Sequence, residues 1–255
     1  RPSGMVLVTG PTGSGKTTTL YAALTELNSP EKKIITVEDP VEYRLPGINQ
    51  VQVMEKIDLS FDRVLRSALR QDPDIVLVGE MRDQMTAEIG MRASITGHMV
   101  LSTLHTNDVI STPIRLLDMG VPRYMVALSL QMVVAQRLVR TICENCAEPH
   151  TPTPAEHEWL KYELGDKVDQ YKYRHGKGCS QCNGMGYTGR TGVYEILEMT
   201  NDLVEAINHE DTGVFVQAAR KQMAGQTLRR DGVRLVVNGR TTIDEAMRIS
   251  NEFEE

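Results

Sequence analysis

The chain has 255 residues, of which 40% are apolar and 24% charged, and it carries a net charge of −6. That length holds one sizeable core plus a small appended unit, and the composition is globular, which excludes a fibrous or wholly disordered chain. The acidic balance argues against broad binding to nucleic acid or to an anionic membrane. No apolar run reaches the ~18 residues of a membrane-spanning helix.

No secretory signal precedes the first strand. Only four residues come before Met5, so we expect an excised piece of a longer protein. From residue 5 to about residue 140, β-branched runs alternate with helical spacing. This predicts strands at residues 6–9, 34–37, 75–78 and 100–103, and helices opening at Lys16, Phe61, Thr86 and Val109. Such alternation implies an α/β fold whose mostly parallel sheet is covered on both faces.

The turn after the first strand reads Gly10-Pro11-Thr12-Gly13-Ser14-Gly15-Lys16-Thr17, the P-loop pattern G-x-x-x-x-G-K-[ST]. Glycines 10, 13 and 15 permit backbone angles and close approach that a Cβ would block. Successive amides then face inward as an anion nest at a helix N-terminus. Lys16 is expected on the β- and γ-phosphates of ATP and the Thr17 hydroxyl on Mg²⁺. Thr18 and Thr19 open the helix, and Thr18 is counted with the phosphate-binding residues.

A P-loop needs carboxylates to organise Mg²⁺ and to polarise a water. Asp72-Pro-Asp-Ile-Val-Leu-Val-Gly-Glu80 is an apolar strand ending in an acid. The acid arrives one position late, after Gly79, which leaves room for a water between Glu80 and the metal. Thr36-Val-Glu-Asp-Pro-Val-Glu42 packs three carboxylates into five residues, a repulsion that a cation or hydrogen-bond donors would offset. His98 and His105 flank the fourth strand, and each is open to two readings, γ-phosphate contact or structural donor.

Further along, Arg137 and Arg140 read as a solvated helix end. Methionines 85, 91, 99, 119, 125 and 132 read as core filler. Thr151-Pro-Thr-Pro154 breaks the pattern, and Thr242-x-x-Glu245 resembles a capping box opening the last helix. The expected division is a nucleotide-binding core over residues 1–140, a four-cysteine subdomain over 141–198 and a helical region over 199–255.

The four cysteines form two C-x-x-C pairs, Cys143/Cys146 and Cys179/Cys182, and point to a metal rather than disulfides. Four thiolates would close a tetrahedral zinc site of structural type. The 32-residue spacer between the pairs exceeds the usual ~15–20, and redox or iron–sulfur chemistry stay open as alternatives. His150, His157 and His175 are expected at the surface.

Four motifs in order carry a family resemblance: the P-loop, the acidic box Glu38-Asp-Pro-Val-Glu42, the segment from Leu69 to Asp83, and Thr96-Gly-His-Met-Val-Leu-Ser-Thr-Leu-His-Thr-Asn-Asp108. Together they resemble the secretion ATPases of type II secretion and type IV pilus systems. The four-cysteine insert makes the chain look more like the assembly branch than the retraction branch, and within it most like the motor of the mannose-sensitive haemagglutinin pilus. The resemblance implies a RecA-like, C-terminal motor domain of a homohexamer that hydrolyses ATP with Mg²⁺. It implies Glu42 as the group that activates water, Glu80 as the carboxylate associated with Mg²⁺, and His105 near the γ-phosphate. It also strengthens zinc as the metal of the four cysteines, and its delayed acid matches that at Glu80. The implied partner is an inner-membrane platform protein, with the motor cytoplasmic and peripheral to that membrane rather than inserted in it. Family members carry a preceding PAS-like domain that supplies arginines, and some carry a region that binds cyclic di-GMP. Neither is expected in this chain, so full activity is not expected of it alone. A nucleic-acid motor of RecA type is the second reading. It lacks the basic, aromatic-rich stretch such binding uses.

Overall fold

A computed structural model describes residues 3–251, which divide into two compact units. The first runs through Ala135 and takes in Ile196–Ala224; the second is Gln136–Glu195 and the chain from Gly225 onward.

The first unit opens with β1 (Gly4–Thr9), α1 (Lys16–Leu27), β2 (Ile34–Glu38) and β3 (Asn49–Gln52). It continues with α2 (Phe61–Leu69), β4 (Ile75–Val78), α3 (Gln84–Ile95), β5 (Met99–Leu104), α4 (Ser111–Asp118) and α5 (Arg123–Ser129). The long strand β6 (Leu130–Ile142) begins here and ends in the second unit. The sheet order is β3-β2-β4-β5-β1-β6, and the pairs β2/β3, β2/β4, β4/β5, β1/β5 and β1/β6 are all parallel. Every residue of β2 and β4 is buried, as strands covered on both faces require.

Pleating sorts the strand residues between the two covers. Val8 of β1, Ile75 and Leu77 of β4 and Leu101 of β5 pack with Leu20 and Leu24 of α1. The opposite parity faces α3, where a Cβ on Gly90 would lie 3.4 Å from Met5 and 3.8 Å from Val100. The predicted strands and helices are therefore present, with α3 and α4 starting at Gln84 and Ser111 instead of Thr86 and Val109.

In the second unit β6 lies beside β9 (Tyr187–Glu198), and a two-stranded antiparallel sheet joins β7 (Ala147–His150) to β8 (Tyr173–Gly176). Between them lies α6 (Pro154–Leu164). The apparent break at Thr151-Pro-Thr-Pro154 is the start of α6: Thr153 and Glu156 form a reciprocal capping box and Pro154 occupies the first turn. The tail divides between the units. Helix α7 (Asn201–Asn208) packs with α5 and α8 (Thr212–Met223) packs with α7, while α9 (Leu228–Val237) and α10 (Ile243–Asn251) pack around α6 and β8. This division differs from the boundaries read at 140 and 198, because two helices of the tail bury their apolar faces in each unit.

Three local expectations change. Arg137 and Arg140 lie in β6, not at a helix end; Arg137 is buried, and Arg140 meets the fully buried Glu245. Thr242 does accept the amide of Glu245, but the Glu245 carboxylate is taken by Arg140, so only half of the expected capping box forms. Met85 is exposed, whereas Met91 and Met125 are core residues.

Candidate active site

The P-loop joins β1 to α1. Gly10, Gly13 and Gly15 have φ of 147°, 82° and 87°, values that L side chains rarely adopt. No side chain caps α1, whose N-terminus carries the partial positive charge that suits an anion. Lys16 Nζ donates to the carbonyls of Gly10 (2.8 Å) and Pro11 (3.1 Å), holding the ammonium over the loop. These features fit a triphosphate.

A cavity of about 680 Å³ opens in front of this loop. Thr12, Gly13, Gly15, Lys16, Thr17 and Thr18 line it from the P-loop side. Glu38, Asp39 and Glu42 reach it from the end of β2, Glu80 and Arg82 from the end of β4, and His105 from the end of β5. Parallel strands deliver all their C-terminal ends to one edge, which is where open α/β sheets bind ligands. His98 is at the other end of β5, with its Nδ1 2.9 Å from the Ala93 carbonyl, so it takes the structural role.

Glu80 is partly buried. One oxygen is 3.3 Å from His105 Nε2, and the other is ion-paired with Arg82, which also lies 3.6 Å from Asp39. A Cβ on Gly79 would come 3.2 Å from the Val37 carbonyl and 3.3 Å from Glu38 Cα. The close approach of β2 thus favours a residue without a Cβ at this position. The loop bearing His105 is fastened by three hydroxyls. Thr106 Oγ1 is 2.5 Å from Thr9 Oγ1 and 2.6 Å from Thr112 Oγ1, and Thr9 also meets the Leu104 carbonyl at 3.0 Å.

The two glutamates of the acidic box differ in environment. Glu42 is exposed to the cavity, whereas Glu38 is 3% exposed and accepts hydrogen bonds from Tyr21, Thr36 and Gln50. Burial, then the hydrogen bond and charge of Glu38, push the Tyr21 phenol far above its usual range, so it remains a hydroxyl donor.

The four cysteines converge in the second unit, with all Sγ atoms within 4.8 Å of one another. Cys143–Cys179 and Cys146–Cys182 are 3.9 Å apart and Cys179–Cys182 3.8 Å. A tetrahedron of Zn–S bonds near 2.3 Å has edges of about 3.8 Å, so the donor set fits one closed metal site. The amides of Gly178, Cys179 and Gly186 donate to these sulfurs at 3.2–3.3 Å. The Asn145 side chain and neighbouring amides lower the Cys179 thiol to about 6, and burial pushes Cys146 up to about 12. His150, His157 and His175 are not ligands: each faces a carboxylate, Glu156, Asp169 and Glu148, at 3.0–3.2 Å.

A profile described as type II/IV secretion system protein matches residues 1–248. The chain belongs to that family. It is 47% identical over 252 residues to the type II secretion system protein E of Pseudomonas aeruginosa, covering 99% of this chain and 49% of that protein. It is 46% identical over 250 residues to the type IV pilus assembly ATPase PilB of Myxococcus xanthus, covering 97% and 44%. The chain thus spans about half the length of the curated relatives it matches. The solved pilus retraction motor PilT with bound ADP aligns at a TM-score of 0.70 and 31% identity, over 97% of this chain and 61% of that one. The ATPase DotB of Legionella pneumophila, 22% identical with a TM-score of 0.70, shares the fold.

The structure of this type II/IV secretion system protein brings Lys16, Glu42, Glu80 and His105 to one cavity and the four cysteines to one cluster. Sequence reasoning missed Tyr21, Arg82 and the Thr9–Thr106–Thr112 clasp. Arg82 follows Glu80 by two residues, a signal within reach. The contacts of Tyr21 with Glu38 and of Thr9 with Thr106 join residues 17 and 97 positions apart and had none.

Proposed function

We propose that this chain is the C-terminal motor domain of a homohexameric ATPase that drives assembly of a type IV pilus, of the mannose-sensitive haemagglutinin kind, or of a type II secretion pseudopilus. The observation that carries the reading is one cavity lined jointly by the P-loop and by Glu42, Glu80 and His105. The P-loop amides from Gly10 to Thr18 and the Lys16 ammonium bind the phosphates of ATP, and Lys16 stabilises charge as the γ-phosphoryl group leaves. The Thr17 hydroxyl and Glu80 carboxylate would hold Mg²⁺, which supplies charge neutralisation when bound. Glu42, the solvent-facing carboxylate, accepts the proton of the attacking water. His105 hydrogen-bonds the γ-phosphate and, through its contact with Glu80, reports its loss. The four cysteine thiolates would hold a structural zinc ion, which would tie the loops that carry them together.

The motor acts at the cytoplasmic face of the inner membrane and hands its stroke to a platform protein there. Among the described residues no helix is long and apolar enough to cross a membrane. The test uses the full-length assembled protein. Lys16→Ala should abolish magnesium-dependent nucleotide uptake by calorimetry. Glu42→Gln should keep that uptake and lower phosphate release by about 10²-fold or more. Turnover in Glu42→Gln equal to wild type would refute the base assignment, and unchanged uptake in Lys16→Ala would refute the site.

A further inference from the structure

We propose that Tyr21 is a positioning residue for hydrolysis: its hydroxyl, oriented by Glu38, sets the loop bearing Glu42 against the phosphate-binding helix. The inference rests on the reading of Glu42 as the base that activates water.

Tyr21 lies on α1 five residues after Lys16 and is 1% exposed. A phenylalanine would fill that space. The hydroxyl has partners on three other segments. It donates to Glu38 at the end of β2 and accepts from the Glu42 amide and from Gln50 Nε2, each at 3.3 Å. Gln50, on β3, also accepts from the Leu45 amide (2.6 Å) and donates to the Tyr43 carbonyl (3.0 Å). The loop between β2 and β3 is therefore held by Gln50 beyond Glu42, and by Tyr21 at Glu42 itself.

Hydrogen-bond polarity gives Glu38 its part. An ionised carboxylate only accepts, so its neighbours must donate to it. Tyr21 spends its single proton on Glu38 and must face the Glu42 amide as an acceptor. Burying a carboxylate is costly unless donors satisfy it, and Thr36, Gln50 and Tyr21 do so. The raised Tyr21 phenol keeps the polarity fixed across the physiological range. The exposed Glu42 side chain thus springs from a backbone tied to the same helix that carries Lys16 and Thr17. Displacing a reacting group by about 1 Å can cost on the order of 10²-fold in rate, so one hydroxyl at this joint is worth holding.

The test is a double-mutant cycle in the full-length assembled protein with Tyr21→Phe, Glu42→Gln and the pair. Tyr21→Phe should lower kcat by about ten- to a hundredfold, with KM for Mg-ATP and fluorescent-nucleotide affinity within about twofold of wild type. In the Glu42→Gln background the same change should have no further effect on single-turnover rate. Wild-type kcat in Tyr21→Phe, or an equal loss in both backgrounds, overturns the inference; the equal loss would mark a merely structural hydroxyl. Wild-type turnover in Glu42→Gln overturns the base assignment too, whereas a slow Glu42→Gln beside a fully active Tyr21→Phe overturns positioning alone. If Tyr21→Phe yields no folded protein, Glu38→Gln in the same cycle keeps the shape while placing an amide donor against Tyr21 or Thr36. It should again lower kcat in the wild-type background only.

Discussion

Glu245→Ala is expected to destabilise the second unit by about 3 kcal/mol. The carboxylate is fully buried and accepts from the Arg140 amide (2.7 Å), Arg140 Nε (3.0 Å) and Nη2 (2.8 Å), and Arg248 Nε (3.4 Å) and Nη2 (3.2 Å). Breaking a buried ion pair costs roughly 3–5 kcal/mol. Here both arginine side chains are about half exposed, at 48% and 49%, and can recover water, so the charge part is discounted. The Arg140 amide loses its acceptor at about 1–3 kcal/mol, and the one lost methylene adds about 1 kcal/mol. In a chain of this size the loss corresponds to a fall in Tm of about 6–12 °C. Burial pushes the Glu245 carboxyl up, but hydrogen bonds from the Arg140 side chain and amide and from Arg248 outweigh it and leave it below the usual range. The stabilisation is therefore fully present above the unfolded value near ~4.3 and is lost as pH falls through the depressed folded value. Urea titrations of both proteins between pH 7 and pH 3 should give a constant gap down to about pH 5 that narrows below about pH 4, leaving the part owed to the lost amide acceptor and methylene. A gap under about 1 kcal/mol at pH 7, or one that widens on acidification, would refute the reasoning.

Two further outcomes test other parts of the molecule. Cys143→Ser, or treatment with a strong chelator, should remove one metal ion per chain and expose thiols that react slowly in the intact protein. Elemental analysis and thiol titration read both, and fast-reacting thiols in untreated, metal-free and equally stable protein would contradict the cluster's role. Gly79→Ala should lower stability by about 1–3 kcal/mol, because its Cβ forces β2 and β4 apart; a wild-type denaturation midpoint would remove the close-approach explanation for that glycine.

Much of the core was legible because its signals are local. Each predicted strand of the first unit is a run of β-branched residues, and parallel strands buried on both faces need such runs. The glycines of the P-loop and the lysine that follows are demanded by backbone angles and charge within eight residues. β6 escaped notice because Arg137 and Arg140 interrupt its apolar run, and the partners of Arg140 lie elsewhere: Glu245, 105 positions later, and the Tyr187 ring, 4.0 Å away. The helical tail was visible as helices, but the allocation of α7 and α8 to one unit and α9 and α10 to the other depends on which apolar faces find cover.

The sequence by itself determined that an anion-binding turn joins a buried strand to a helix, that acids end neighbouring strands, and that four thiols come in chelating pairs. Those are properties of short segments, dictated by backbone sterics, side-chain pattern and ligand chemistry. Only the tertiary structure decided which of the acids is exposed and which is buried. Glu38 and Glu42 are four residues apart, chemically alike and both on the cavity, yet one is enclosed by Tyr21, Thr36 and Gln50 and the other is exposed. A carboxylate's role follows from its solvation and its donors, and here most of these are brought by segments distant in the chain.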